Sequence, residues 1–159
     1  MHTPLCRHAE GEPTEYAAQA VKLGLTEIGF TEHAPMPEDD FDNWRMLESE
    51  MDIYHEKLDQ AEKDNPEINI LRSLEVDYLP DYTEWIKSLD KRYEWDYLIG
   101  SVHYLGDKWS FDHPDHRDSW NGKDLSSVWS QYYIRLTESV KIGVFNIIGH
   151  CDLIKVFGH

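Results

Sequence analysis

The sequence predicts an α/β fold around a parallel sheet, of the barrel kind that keeps its chemistry at the C-terminal ends of the strands. Strand-like and helix-like stretches alternate along the 159 residues, and parallel neighbours need crossovers of a dozen or more residues. Five residues with metal-ligating side chains, His2, His33, Glu75, His103 and His150, each fall at or just past the end of an apolar strand-like run. Histidines scattered over a surface would not keep that phase.

A stub of strand precedes His2. Residues 14–24 have helical spacing, with Tyr16, Ala20 and Leu23 on one side and Gly24 as a stop. A strand over 25–31 follows. Residues 47–64 place Met51, Tyr54, Leu58 and Ala61 at helical spacing among charges, until Asn65-Pro66 ends the run. Residues 68–76 form the next strand. Asp81 with Glu84 resembles a capping box for a helix to about residue 92, with Trp85, Ile86 and Leu89 as its buried stripe. A strand over 97–103 leads into a loop, 106–124, rich in Asp, His and Gly. A helix over 126–141 then turns Trp129, Tyr132, Tyr133, Leu136 and Val140 inward, and 144–148 is the last strand.

Side chains alternate across a strand, so parity decides which ones face the interior. Gly29, Thr31 and His33 share a face, as do Leu71, Ser73 and Glu75, and Ile99, Ser101 and His103; each set ends in a possible ligand. The other parity, Ile28 and Phe30, Ile70 and Leu74, Leu98 and Val102, is apolar and suits packing beneath helices.

A composition 40% hydrophobic and 13% aromatic supports one core of single-domain size. A net charge of −16 argues against nucleic acid or an anionic membrane surface, which call for clustered Lys and Arg. The two cysteines, Cys6 and Cys151, fit a reducing cytoplasm better than a disulfide scaffold. No signal peptide or membrane-spanning run is read in the sequence.

Neutral imidazole and carboxylate oxygen suit zinc, manganese and ferrous iron, and a glutamate can bridge two such ions. Glu75, on a strand between histidine-bearing neighbours, is the natural bridge. His2 and His8 are expected to flank a βα loop and serve adjacent ions.

Several segments carry a family resemblance: His2-Thr3-Pro4-Leu5-Cys6-Arg7-His8, Phe30-Thr31-Glu32-His33-Ala34-Pro35, Leu74-Glu75-Val76-Asp77-Tyr78, Gly100-Ser101-Val102-His103-Tyr104 and Gly149-His150-Cys151-Asp152. On them the chain resembles the polymerase-and-histidinol-phosphatase (PHP) superfamily, within it the monofunctional histidinol-phosphate phosphatases. The resemblance implies a distorted (β/α)7 barrel of TIM-like kind and up to three divalent metal ions, Zn, Fe or Mn. It implies that His2 belongs to the first metal and that Glu75 bridges it to a second held by His103 and His150, with His8 and His33 on a third. Glu32 matches the motif, but its parity argues against a ligand role. The implied reaction is hydrolysis of a phosphate monoester, L-histidinol phosphate, in histidine biosynthesis. Water acidified by the ions attacks phosphorus in line, with Glu75 and His103 as the catalytic pair that holds them.

Two features of the family pattern are not found here: the first histidine of an opening His-x-His, and a closing Asp-x-His. Four strands and a stub also fall short of a closed sheet, and would leave an apolar edge. The expectation is therefore a partial PHP domain over 1–159, of a protein longer by about 80 to 110 residues, or some two βα units. His159 is not expected to replace a ligand.

Arg7, Ser101, Lys108 and Arg117 are candidate contacts for the substrate phosphate, and Asp77 and Asp152 for orienting ligand imidazoles. His113 and His116 sit in a Pro-containing loop that sets no ligand geometry, and His55 is expected to face solvent. The expected partner is a small phosphate ester, with neither nucleic acid nor membrane. Two alternatives stand beside it: a PHP phosphoesterase acting on nucleotides or oligonucleotide ends, and an inactive metal-binding fragment.

Overall fold

Strand β1 (Glu27–His33) lies parallel to β2 (Asn69–Asp77), in register from Glu27 opposite Asn69 to His33 opposite Glu75. This is a computed structural model, and it describes residues 1–158; His159 lies outside the described residues. The chain divides into two compact units, Met1–Glu75 with Glu94–Leu98, and Val76–Tyr93 with Ile99 onward.

In the first unit the predicted stub is present. The Met1 amine donates to the Gly29 carbonyl at 3.0 Å, and Thr31 N–H donates to the Met1 carbonyl at 2.7 Å, so Met1 lies along β1 as a further parallel strand would. On the other side of β2, Asp96 N–H donates to the Arg72 carbonyl at 2.9 Å. A side chain at Gly29 would collide with the Tyr97 hydroxyl at 2.1 Å, which is why glycine interrupts the row of side chains there.

Helix α1 (Pro13–Lys22) starts with proline at its first position, and the Glu15 carboxylate accepts from Glu12 N–H at 2.8 Å. It packs on α2 (Met51–Asp64). The apolar face of α2, Met51, Tyr54, Leu58 and Ala61, is buried as the spacing predicts. Phe30, Leu58 and Leu74 are each 0% exposed, and burial of such side chains contributes about 1.5–3 kcal/mol apiece. His55 is half-buried and packs beside Trp95 at 5.1 Å between ring centroids, contrary to the solvent-facing expectation. Its position on α2 turns it toward an aromatic neighbour that is distant in sequence.

In the second unit, Tyr78 N–H donates to the Ser101 carbonyl at 2.8 Å, and β3 (Tyr97–Ser101) pairs in parallel with the strand that follows the last helix. Helix α3 (Thr83–Leu89) buries Ile86 and Leu89. The expected Asp81/Glu84 capping box does not form: Asp81 lies in a 3-10 turn, Pro80–Tyr82, and Glu84 pairs with Lys87 at 2.8 Å. After β3 the chain makes a small antiparallel ribbon of β4 (Tyr104–Leu105) and β5 (Trp109–Ser110), where the sequence predicts only loop. Two-residue strands are too short to show a period.

Helix α4 (Leu125–Lys141) is capped by the Asp124 carboxylate, which accepts from Ser126 N–H and Ser127 N–H. Its buried line runs Val128, Tyr132, Leu136 and Ser139, whereas Tyr133 is 42% and Val140 58% exposed and Trp129 is intermediate. Tyr132 and Leu136 are thus buried as expected, while Val128 and Ser139 take the places expected for Trp129, Tyr133 and Val140, a rotation of the stripe by about 60° around the axis. The last strand, β6 (Ile147–Ile148), is shorter than predicted. No helix among the described residues is long and apolar enough to cross a membrane.

Candidate metal centres

The predicted parity delivers its polar ends. On β1 and β2, Thr31, His33, Ser73 and Glu75 are buried on one face, while Ile28, Phe30, Ile70 and Leu74 pack on the other. In the first unit, His2, His33 and Glu75 each offer a ligand atom, and these atoms lie within 4.8 Å of one another. The His2 ring stacks on His33, with centroids 4.4 Å apart and planes 11° apart, and His2 Nε2 is 3.3 Å from Glu75 Oε2. Two ligand atoms about 2.0–2.1 Å from one tetrahedral zinc are separated by about 3.3 Å. The gap between His2 and Glu75 matches that separation.

His8 lies beside this group, at the far end of the opening segment, but outside the set whose ligand atoms fall within 4.8 Å of one another. Its ring lies 5.7 Å from His2 and 5.2 Å from His33, and its Nδ1 hydrogen-bonds the Cys6 carbonyl at 2.9 Å, leaving Nε2 as the outward nitrogen. Trp44 sets its edge against both His8 and His33, at 6.0 and 5.2 Å. That wall was not foreseen: Trp44 sits in an acidic loop with no periodicity to mark it.

The electrostatics of His2 are those of a cation paired with carboxylates. Burial opposes its charge, but Glu32 and Glu75 outweigh burial and push its pKa up to about 9. Glu32 shows the converse. Burial works against the carboxylate, yet donors from His2, Thr3 and His33 hold it below the usual range. Burial pushes the Cys6 thiol up, so it stays protonated at neutral pH.

The second unit holds a smaller group. His103 Nδ1–H donates to Asp77 Oδ1 at 2.6 Å, which turns Nε2 and its lone pair outward. That nitrogen faces His150 Nε2 at 3.1 Å, again close to the spacing of two ligands on one ion. The predicted orienting role of Asp77 is thus met in geometry, whereas Asp152 lies 3.6 Å from Lys155 in an exposed pair. His150 is steadied through its carbonyl, which accepts from the Tyr132 hydroxyl at 2.8 Å. Gly149 passes so close to the fully buried Ser101 that a Cβ would meet its Oγ at 2.3 Å. Asp112, unremarked in the sequence, is drawn in because Phe111 N–H donates to the His103 carbonyl at 3.3 Å. Burial raises its pKa, with His103 and His150 opposing.

The candidate phosphate contacts are engaged elsewhere. Arg7 pairs with Glu50 at 2.7 Å, and Arg117 lies over the Phe157 ring at 5.6 Å. Lys108 Nζ donates to the Tyr82 hydroxyl at 2.8 Å, beside a cavity of about 460 Å³. His113 and His116 face one another at 5.2 Å and His113 Nδ1 lies 3.9 Å from Asp115 Oδ2, but the three do not gather into a close ligand set among the described residues. Imidazole nitrogens and a carboxylate oxygen at these spacings form the donor set of a divalent transition ion, so the residues of the first unit fit metal, and the second unit contributes two imidazole nitrogens at the spacing of two ligands.

Relatives among known proteins match along the whole of this chain. The family described as PHP domain matches residues 1–159. A curated protein of Deinococcus radiodurans, named "Probable histidinol-phosphatase", is 37% identical over 160 residues, which is 100% of this chain and 61% of that protein. The histidinol-phosphatase of Bacillus subtilis is 30% identical over 99% of this chain and 66% of its own length. The chain therefore spans about three fifths to two thirds of the length of these relatives. A crystal structure of histidinol phosphate phosphatase from Lactococcus lactis, complexed with zinc, L-histidinol and phosphate, superposes with a TM-score of 0.76 at 23% identity, over 97% of this chain and 57% of that one. The hisK protein of Listeria monocytogenes gives 0.82, also at 23%, over 97% of this chain and 66% of that one. At that identity the likeness establishes a shared fold.

Proposed function

We propose a function from one premise: this chain belongs to the PHP domain family. It serves a metal-dependent phosphatase that converts L-histidinol phosphate to L-histidinol and phosphate in histidine biosynthesis, and residues 1–159 lie within one PHP domain. The observation that carries this is the gathering of His2, His33 and Glu75, whose ligand atoms lie within 4.8 Å of one another. The names of the curated relatives, and the ligands in the Lactococcus lactis structure, supply the substrate.

His2, His8, His33 and Glu75 hold cations in the first unit, and His103 with His150 holds one in the second. Up to three divalent ions, Zn, Fe or Mn, supply Lewis acidity and a water acidified toward neutral pH. The chain's own residues do the rest. Glu75 contributes the negative charge that keeps a cation beside two imidazoles. Asp77 holds a proton on His103 Nδ1, so Nε2 stays a lone-pair donor. Ser101 is fully buried with Gly149 packed against its Oγ, so it fills the strand end, and a phosphate contact from it is placed second. Arg7, Lys108 and Arg117 are placed second, since each already has a partner in the fold. A cytoplasmic setting suits the unpaired cysteines Cys6 and Cys151.

The test is phosphate release by the purified chain from histidinol phosphate against mononucleotides, with and without a chelator. The expected result is chelator-sensitive release from histidinol phosphate, at a rate impaired relative to the longer curated relatives, of whose length this chain spans about three fifths to two thirds. Equal or faster release from mononucleotides would overturn the substrate, and chelator-resistant turnover would overturn the metal.

A further inference from the structure

Glu32 is a buried acid on the apolar parity of β1, and it is 0% exposed. A carboxylate in that position is costly unless donors surround it. They do. One oxygen, Oε2, accepts from Thr3 N–H at 2.7 Å and from the Thr3 hydroxyl. The other, Oε1, accepts from His33 N–H at 2.9 Å and lies 3.6 Å from His2 Nδ1.

The bond to Thr3 N–H changes the path of the chain. Met1 brackets Phe30 in a parallel ladder, through the Gly29 carbonyl and Thr31 N–H. In a continued ladder the next amide, Thr3 N–H, would donate to the Thr31 carbonyl. It donates to the Glu32 side chain instead, and a 3-10 turn, Pro4–Cys6, begins with Thr3 Oγ1 as its cap on Leu5 N–H. The carboxylate therefore ends the strand at the residue after His2 and starts the turn that brings His8 back toward the same group.

A competing assignment is that His2, Cys6 and Glu32, whose ligand atoms also lie within 4.8 Å of one another, hold an ion of their own. The chemistry runs against it. The carboxylate oxygens are already engaged by three donors from Thr3 and His33.

We infer that Glu32 is a positioning residue: its carboxylate grips Thr3 and the His33 amide, and thereby sets His2 and His33 in the stacked arrangement that receives a cation. This deepens the proposed function and rests on His2 being a ligand. A glutamine at this position would keep the shape but turn an N–H₂ toward either the His33 N–H or the two Thr3 donors, breaking the grip on one side.

Zinc titration of the full chain against a competing chelator tests this, in wild type, Glu32→Gln and His2→Ala, with circular dichroism as the check on fold. The expected result is that Glu32→Gln weakens one zinc equivalent by about 10- to 100-fold. It is the same equivalent that His2→Ala removes, and the remaining zinc is unaffected. A purely structural role would lower the melting temperature of the zinc-free protein without selecting an equivalent, and that result overturns the inference. So does full zinc affinity in Glu32→Gln when His2→Ala has lost one equivalent, a result that leaves His2 as a ligand. If His2→Ala binds zinc as wild type does, the ligand reading fails and takes this inference with it. Should Glu32→Gln not fold, Thr3→Val removes the hydroxyl donor to Glu32 together with the cap on Leu5 N–H, both parts of the same grip. Weakening of the same equivalent supports the grip, and an unchanged titration overturns it.

Discussion

The two histidine groups are each organised by a buried acid, but in different ways. In the second unit Asp77 holds the ring itself, at 2.6 Å from His103 Nδ1. In the first unit Glu32 stands 3.6 Å from His2 Nδ1 and spends its short bonds on the Thr3 amide and hydroxyl and the His33 amide. One acid sets a tautomer, and the other sets a chain path. The difference follows from what carries each histidine. His103 follows the end of β3 by two residues, and the backbone of β3 already has its place in the sheet. His2 belongs to a segment joined to β1 through Met1, and needs a second hold.

The largest expected effect that bears on this contrast is at Glu75. Glu75→Gln removes the negative charge from the His2 and His33 group, and should abolish turnover and release metal; retained activity would mean the group does not hold the cation. Next comes Asp77→Asn, which frees the His103 ring to adopt either tautomer. A loss of about 10- to 100-fold in metal affinity is expected, checked by chelator titration, with little change in fold. An equal loss from Asp77→Asn and Glu32→Gln, with the same pH profile, would erase the distinction between holding the ring and holding the chain.

Acidity gives a smaller effect. The His2 pKa is about 9 in the folded, metal-free chain against 6.5 when unfolded. Its pairing with Glu32 and Glu75 therefore stabilises fully below about pH 6.5 and fades as pH rises through about 9. The melting temperature of chelator-treated protein should fall across that window, and the fall should be shallower in His2→Ala. The smallest effect is at Arg7. Its pair with Glu50 is partly exposed, at 37% and 22%, and pairs of that kind contribute about 0–1 kcal/mol. Arg7→Ala should barely move the melting temperature, and a large rise in KM would instead place Arg7 on the phosphate.

Much of this site is legible in the residues because a strand has a period of two. The parity that buries Phe30 and Leu74 sends His33 and Glu75 to the opposite face, and the register then sets them side by side. The capping box at Asp81 and the stripe on α4 were not legible to the same accuracy, because both depend on where a helix starts to within one residue. Glu32 is the instructive case. Its parity sets it with Phe30 rather than with Thr31 and His33, and a buried acid on that face needs donors, which come from Thr3 and the His33 amide.

What the sequence determined by itself is the alternation of elements and the phase of the ligating residues against the strand ends, since both follow from local periodicity and residue chemistry. The tertiary structure alone decided that Glu32 captures Thr3, that Asp77 rather than Asp152 holds an imidazole, and that Trp44 lines the first group. Those contacts join segments distant in sequence through side-chain rotamers, and rotamers are set by packing, for which a one-dimensional pattern carries no term.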